Sequence, residues 1–146
     1  MPRAPIQVIV IPYRVTASGN REFAVFHRAG HEMWQFISGG AEDDEMPHEA
    51  ARREAFEEAG VPQGQALRKL DAIASVPRQA FANTAHWPSS LYVVPEYAFA
   101  VDATNIPIRL SDEHSEFVWA SYEGALEILA WDSNRTALWE LNERLG

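Results

Sequence analysis

An α/β sandwich around a mixed central sheet, in one domain, is the architecture the sequence predicts. Segments with strand-like alternation and segments with helical spacing are interleaved along the chain, the order that layers helices over a sheet. A length of 146 residues suits one domain, spanning 1–146, with a core of its own. Hydrophobic residues make up 47% and charged residues 23%, the balance of a globular protein. No apolar run approaches the roughly 18 residues needed to cross a membrane.

The elements follow in order. Residues 6–15, IQVIVIPYRV, read as a buried strand with Pro12 late in it. Ala17 to Asn20 is a turn, and 22–28 alternates as a returning strand, so the pair predicts a hairpin. A short apolar piece, Trp34 to Ile37, leads into a Gly39-Gly40 turn. Residues 47–59 are helical: Pro47 suits the first turn, alanine is abundant and Gly60 suits the stop, although Met46 is a poor N-cap. Residues 67–75 and 91–101 are further strands, separated by a polar and aromatic loop over 76–90. A strand over 114–120 precedes two helices, 121–131 and 134–144, parted near Asp132-Ser133 as a natural N-cap.

Charge and cysteine usage narrow the function. The net charge is −9, which disfavours nucleic acid polymers and anionic membrane surfaces as partners. An anionic small molecule would need local positive charge, and a divalent cation would supply it. The start, MPRAPIQVIV, does not read as a signal peptide, because its apolar run is short, alternates like a strand and lacks a small-residue cleavage site. Cysteine is absent, which excludes disulfides and thiol chemistry and fits a cytoplasmic protein.

The chemistry concentrates in GGAEDDEMPHEAARREAFEEAGV, residues 39–61. Glu54, Glu57 and Glu58 stand at i, i+3 and i+4, so they share one helix ridge where like charges repel. Ala50, Ala51, Ala55 and Ala59 form the opposite flank, with Phe56 beside it, and can lie close against a sheet. Arg53 is spaced to pair with Glu57 or with Glu45. A solvated acidic face is the plain alternative. Against it stand the clustering of the acids and the preceding glycines, which let backbone approach a ligand. Hard carboxylate oxygens of this kind suit Mg²⁺, or Mn²⁺, with water and phosphate completing the shell.

The spacing Gly39, five residues, Glu45, seven residues, then Arg53-Glu54-Ala55-Phe56-Glu57-Glu58-Ala59-Gly60-Val61 resembles the Nudix box in full. Only Ala55 departs, standing where the pattern has a bulky aliphatic residue. The resemblance implies an α/β/α Nudix sandwich and hydrolysis of a diphosphate linkage in a nucleoside diphosphate joined to another group. It implies Glu54, Glu57 and Glu58 as metal ligands and catalytic groups, Arg53 and Glu45 as braces, and Gly39 as a backbone contact for metal or substrate. It leaves the general base open, and it allows a homodimer.

Shorter matches resemble a subgroup, the bacterial dihydroneopterin triphosphate and dATP pyrophosphohydrolases. They are Trp34-Gln35, Leu110 to His114 with Trp119, and Trp131-Asp132-Ser133-Asn134-Arg135. Their implied substrate is a nucleoside or pterin triphosphate, cut to a monophosphate and pyrophosphate. Glu113 is the carboxylate expected to join the box as metal ligand or base, with Asp112 and Glu116 as rivals and His114 as a structural or solvent-exposed residue. Arg28 and Ser38 are candidate phosphate contacts. Trp34 and Phe36 are candidate stacking walls, with core packing the alternative for Phe36. Trp131 and Asn134 are candidates for the far side of the pocket, and Phe81, His86 and Trp87 for a lid. Two other functions stay open: a non-catalytic nucleotide-binding regulator with the same fold, or hydrolysis of another substrate such as a dinucleoside polyphosphate.

Overall fold

The computed structural model describes residues 3–146, so Met1 and Pro2 of the expected domain lie outside it. Seven strands form one mixed sheet: β1 (Arg3–Val15), β2 (Arg21–Arg28), β3 (Trp34–Gln35), β4 (Ile37–Glu42), β5 (Leu67–Pro77), β6 (Val93–Asp102) and β7 (His114–Ala120). Three α-helices accompany them: α1 (Pro47–Ala59), α2 (Tyr122–Ile128) and α3 (Asp132–Leu145). The strand order is β3-β2-β1-β6-β5, with β4 added to β1 and β7 to β2. The β1–β6 pair is parallel and the other pairs are antiparallel.

Strand alternation sends neighbouring residues to opposite faces. Val8 and Val10 of β1 join Phe26, Phe99 and Val101 against the α1 alanines 50, 51, 55 and 59. Ile9 and Ile11 join Phe23, Val25, Ala98 and Ala100 against Leu129 and α3 residues Ala137, Leu138 and Leu141. Burial on both faces explains why β1 reads as a continuous apolar run. Pro12 is tolerated in this central strand because its free edge falls between partners. The β4 pairing ends at Val10, and the β2 pairing begins at Tyr13.

Several predicted boundaries move. Gly39-Gly40 is not a turn. Both glycines lie inside β4, paired with Val8 and Gln7. The helix expected over 121–131 ends at Ile128, started by a Ser121 side chain that accepts from the Gly124 N–H. The last helix begins at Asp132 with Trp131 in the N-cap position, so Asp132 and Ser133 are its first turn rather than its cap. The 76–90 loop keeps a short 3-10 turn, Arg78–Ala80. The Arg78 guanidinium donates to the carbonyls of Thr84, Trp87, Pro88 and Leu91 and pins that loop. Trp87 is buried, and its indole N–H donates to the Arg3 carbonyl at 2.8 Å. No helix among the described residues is long and apolar enough to cross a membrane.

Candidate functional site

Helix α1 is placed by its ends. The Met46 N–H donates to the Glu49 carboxylate at 2.8 Å, which replaces the missing side-chain cap and gives Glu49 a role the sequence did not disclose. Gly60 closes the helix at φ 73°, in the left-handed region that glycine favours. Four alanines let the helix lie close to the sheet, and that closeness brings the carboxylates onto it. Phe56, expected beside the alanine flank, is instead 44% exposed.

Arg53 is the centre of the bracing network. It donates to both oxygens of Glu45 at 2.8 and 2.9 Å and to the Gly40 carbonyl at 2.9 Å. It also reaches Glu54 at 2.8 Å, Glu57 at 3.2 Å and Glu42 at 3.4 Å. Both pairings anticipated for Arg53 therefore form, and Glu42 gains a partner. The Arg53 hydrogen bond holds the Glu45 carboxyl below the usual range.

The ridge divides. Glu57 is its outer, half-exposed member. Glu54 is buried against β4, where a Cβ on Gly39 would collide with its carboxylate. Gly39 is thus required for space, not for turn geometry. Glu58 is 1% exposed, and neither of its oxygens has a hydrogen-bond partner among the described residues. Burial, joined by neighbouring Glu54 and Glu113, pushes its carboxyl up to about 11. As they stand, no three acidic, histidine or cysteine side chains converge on one point among the described residues. Glu54 and Glu57 both lean onto Arg53.

His114, taken from the sequence as structural or exposed, is buried beside this carboxylate. Its Nδ1 is 3.7 Å from Glu58 Oε1, outside hydrogen-bond range, and its ring lies 5.1 Å from Phe26. Burial, then Arg28, pushes its pKa down, which keeps it neutral at pH 7. Glu113, one residue earlier, is exposed. Its carboxyl is nevertheless partly shielded from solvent, which raises its pKa, as does Glu54, with Arg28 opposing, so Glu113 and Arg28 both act electrostatically on the ridge side.

The other candidates fall on the opposite face or at its margin. The Ser38 hydroxyl accepts from Gln7 Nε2 at 2.7 Å. Trp34 stands edge-on to His27 at 5.0 Å, and Phe36 is fully buried core. Trp131 is half exposed and donates to Gln35 Oε1 at 3.3 Å. The Asn134 oxygen accepts from the Phe36 N–H at 2.9 Å, which ties α3 to the sheet and commits that oxygen to the fold. Sequence reasoning missed Arg3, Gln7 and Glu96. The signal for Glu96 was visible, since it is a lone carboxylate inside the apolar run VVPEYAFAV.

Comparison with known proteins bears on this arrangement. A family model described as the NUDIX domain matches residues 7–139. The chain is 26% identical to the dihydroneopterin triphosphate diphosphatase of Haemophilus influenzae, over 90% of this chain and 83% of that protein. A crystal structure of a NUDIX hydrolase from Listeria monocytogenes superposes with a TM-score of 0.88 at 45% identity, covering 97% of this chain and 94% of that one. The Escherichia coli dihydroneopterin triphosphate pyrophosphohydrolase shares the fold, with a TM-score of 0.76 at 20% identity over 97% of this chain and 99% of that one.

Proposed function

The chain belongs to the NUDIX family and is a Nudix hydrolase acting on nucleoside diphosphate derivatives, and from that premise we propose that it is a Mg²⁺-dependent pyrophosphohydrolase of a nucleoside or pterin triphosphate. Water adds across one diphosphate linkage, and the products are a monophosphate and pyrophosphate. The observation that carries this reading is Glu58. Its two carboxylate oxygens, buried and without a hydrogen-bond partner among the described residues, stand beside Glu54, whose own carboxylate lies over Gly39.

The donor set fits a hard divalent cation. It consists of carboxylate oxygens, and the burial that pushes Glu58 toward its neutral form is offset when a cation takes the proton's place. Glu54, Glu57, Glu58 and Glu113 would hold Mg²⁺, with Mn²⁺ as a substitute. When bound, the cation neutralises charge on the phosphate oxygens and lowers the pKa of water. The chain's own residues supply the rest. Arg53 keeps Glu54 and Glu57 near the ridge and fixes β4 to α1 through the Gly40 carbonyl. Arg28 brings positive charge to the Glu113 side of the site. Glu113 is the carboxylate that joins the ridge from outside the helix, as a further ligand of the cation or as the base for water.

The relative from Haemophilus influenzae supports a pterin triphosphate as one substrate class. A panel of nucleoside and pterin triphosphates, dinucleoside polyphosphates and nucleotide sugars with Mg²⁺ tests it, with pyrophosphate and orthophosphate release measured separately. Pyrophosphate release from triphosphates is expected. No turnover of any diphosphate compound would sink the enzyme reading. Glu113→Gln should slow turnover clearly, and an unchanged rate would pass the role to Asp112 or Glu116.

A further inference from the structure

His114 is a buried polar side chain beside the ridge that the proposed reaction leaves without a task. It opens β7, level with Arg28 of β2. Two contacts hold it in place. The Ala29 N–H donates to the Glu113 carbonyl at 2.9 Å, which ties the start of β7 to the end of β2. The Phe26 ring, part of the core under α1, packs on the imidazole at 5.1 Å. The His114 side chain is 1% exposed and that of Glu58 2%. Three polar atoms stand together there without a hydrogen-bond partner among the described residues: Glu58 Oε1, Glu58 Oε2 and His114 Nδ1. Oε1 and Nδ1 are 3.7 Å apart, about 0.8 Å beyond an ordinary N–H···O bond. Glu54 and the Ser38 backbone are the other polar neighbours of Glu58, and neither bonds to it.

A buried imidazole with an unsatisfied nitrogen is costly, and packing on Phe26 alone would be met by leucine without that cost. The two unpartnered groups answer each other in one state, the one in which Glu58 holds a cation. An ionised carboxylate only accepts, so when one oxygen turns to the cation the other still needs a donor. An imidazole with its proton on Nδ1 is that donor. Ligands of a metal are commonly oriented by such an outer hydrogen bond, which fixes the oxygen in place before the cation arrives. The shift required is small, because β7 already holds the ring against Phe26.

We propose that His114 is a positioning residue of the cation site: its Nδ1–H donates to Glu58 Oε1 and leaves Oε2 for the cation, a role that rests on the cation reading above. The imidazole acts through Glu58 and touches neither cation nor substrate. Glu113 precedes it in the chain, so the same bond fastens the start of β7, and the carboxylate carried there, to α1.

The test sets His114→Asn, whose side-chain amide can donate from near the Nδ1 position, against His114→Leu, which fills the space and cannot donate. Mn²⁺ binding without substrate is followed by electron paramagnetic resonance, with urea titration alongside. His114→Leu should bind Mn²⁺ at least about tenfold more weakly than wild type, and His114→Asn should recover most of that loss. A purely structural role would lower stability and leave the Mn²⁺ affinity of the folded protein alone, or weaken both variants alike. Either result overturns the proposal. The wild-type protein gives a reading of its own if a variant does not fold. In ¹H–¹⁵N spectra of the His114 ring, the proton should sit on Nδ1 in the Mg²⁺ complex and move downfield as Mg²⁺ is added. A ring unmoved by Mg²⁺, or an Nδ1 without a proton in the complex, overturns the proposal and leaves the cation site intact. Wild type that takes up neither Mn²⁺ nor Mg²⁺ fails the cation reading itself, and the role of His114 falls with it.

Discussion

Helices α1 and α3 cover opposite faces of one sheet and do so by opposite means. Helix α3 packs with Leu138 and Leu141, and its buried polar side chain, Asn134, is hydrogen-bonded to Phe36. Helix α1 packs with four alanines, and it buries Glu54 and Glu58. Glu58 is left without a hydrogen-bond partner among the described residues. One face is organised for stability and the other carries an electrostatic cost that the fold alone does not relieve. Such a cost persists where a ligand offsets it.

Four substitutions can break or sharpen that contrast. The largest effect is expected at Glu58→Gln. Turnover should fall by about three powers of ten or more, equivalent to about 4 kcal/mol of barrier. Its Tm should hold or rise, because a buried acid without partners is removed; thermal melts beside steady-state kinetics check both. Leu138→Ala is the mirror case. It should cost about 3 kcal/mol of stability in urea titration, with the kcat of the folded enzyme unchanged. Arg53→Ala joins the two faces of the comparison. Losing the bonds to Glu45 and Gly40 should cost about 2 kcal/mol, and the displaced ridge about a hundredfold in turnover.

The smallest effect is in pH dependence. Glu45 has its folded pKa depressed, by the Arg53 hydrogen bond. Its contribution is therefore fully present above its unfolded pKa and is lost as pH falls through the lower folded value. Glu45→Gln should flatten the acid side of the stability–pH curve relative to wild type. Parallel curves would show that Glu45 contributes nothing to the brace.

The parts legible in the sequence are those fixed by local spacing. The i, i+3, i+4 ridge, the glycine that ends α1, the strand alternation and the Arg53–Glu45 pairing each follow from local geometry or from a repeated pattern. The parts that were not legible depend on distant contacts. Gly39-Gly40 looks like a turn in sequence. Only the fold shows that the glycines are required because Glu54 from α1 and Arg3 from β1 occupy the space their side chains would need. Nothing near Asn134 in sequence tells that its oxygen accepts from the Phe36 N–H, 98 positions away. His114 reads in sequence as structural or exposed, and only the fold decides for burial, with β7 placing it beside Glu58.

The central claim is that the buried Glu58 carboxylate belongs to a cation site. Titrating Mn²⁺ into the protein without substrate, and following loss of the free-ion signal by electron paramagnetic resonance, tests it most directly. Wild type should remove Mn²⁺ from solution saturably, Mg²⁺ should compete, and Glu58→Gln should weaken binding at least about tenfold while remaining folded. Equal Mn²⁺ binding by wild type and Glu58→Gln would contradict the account.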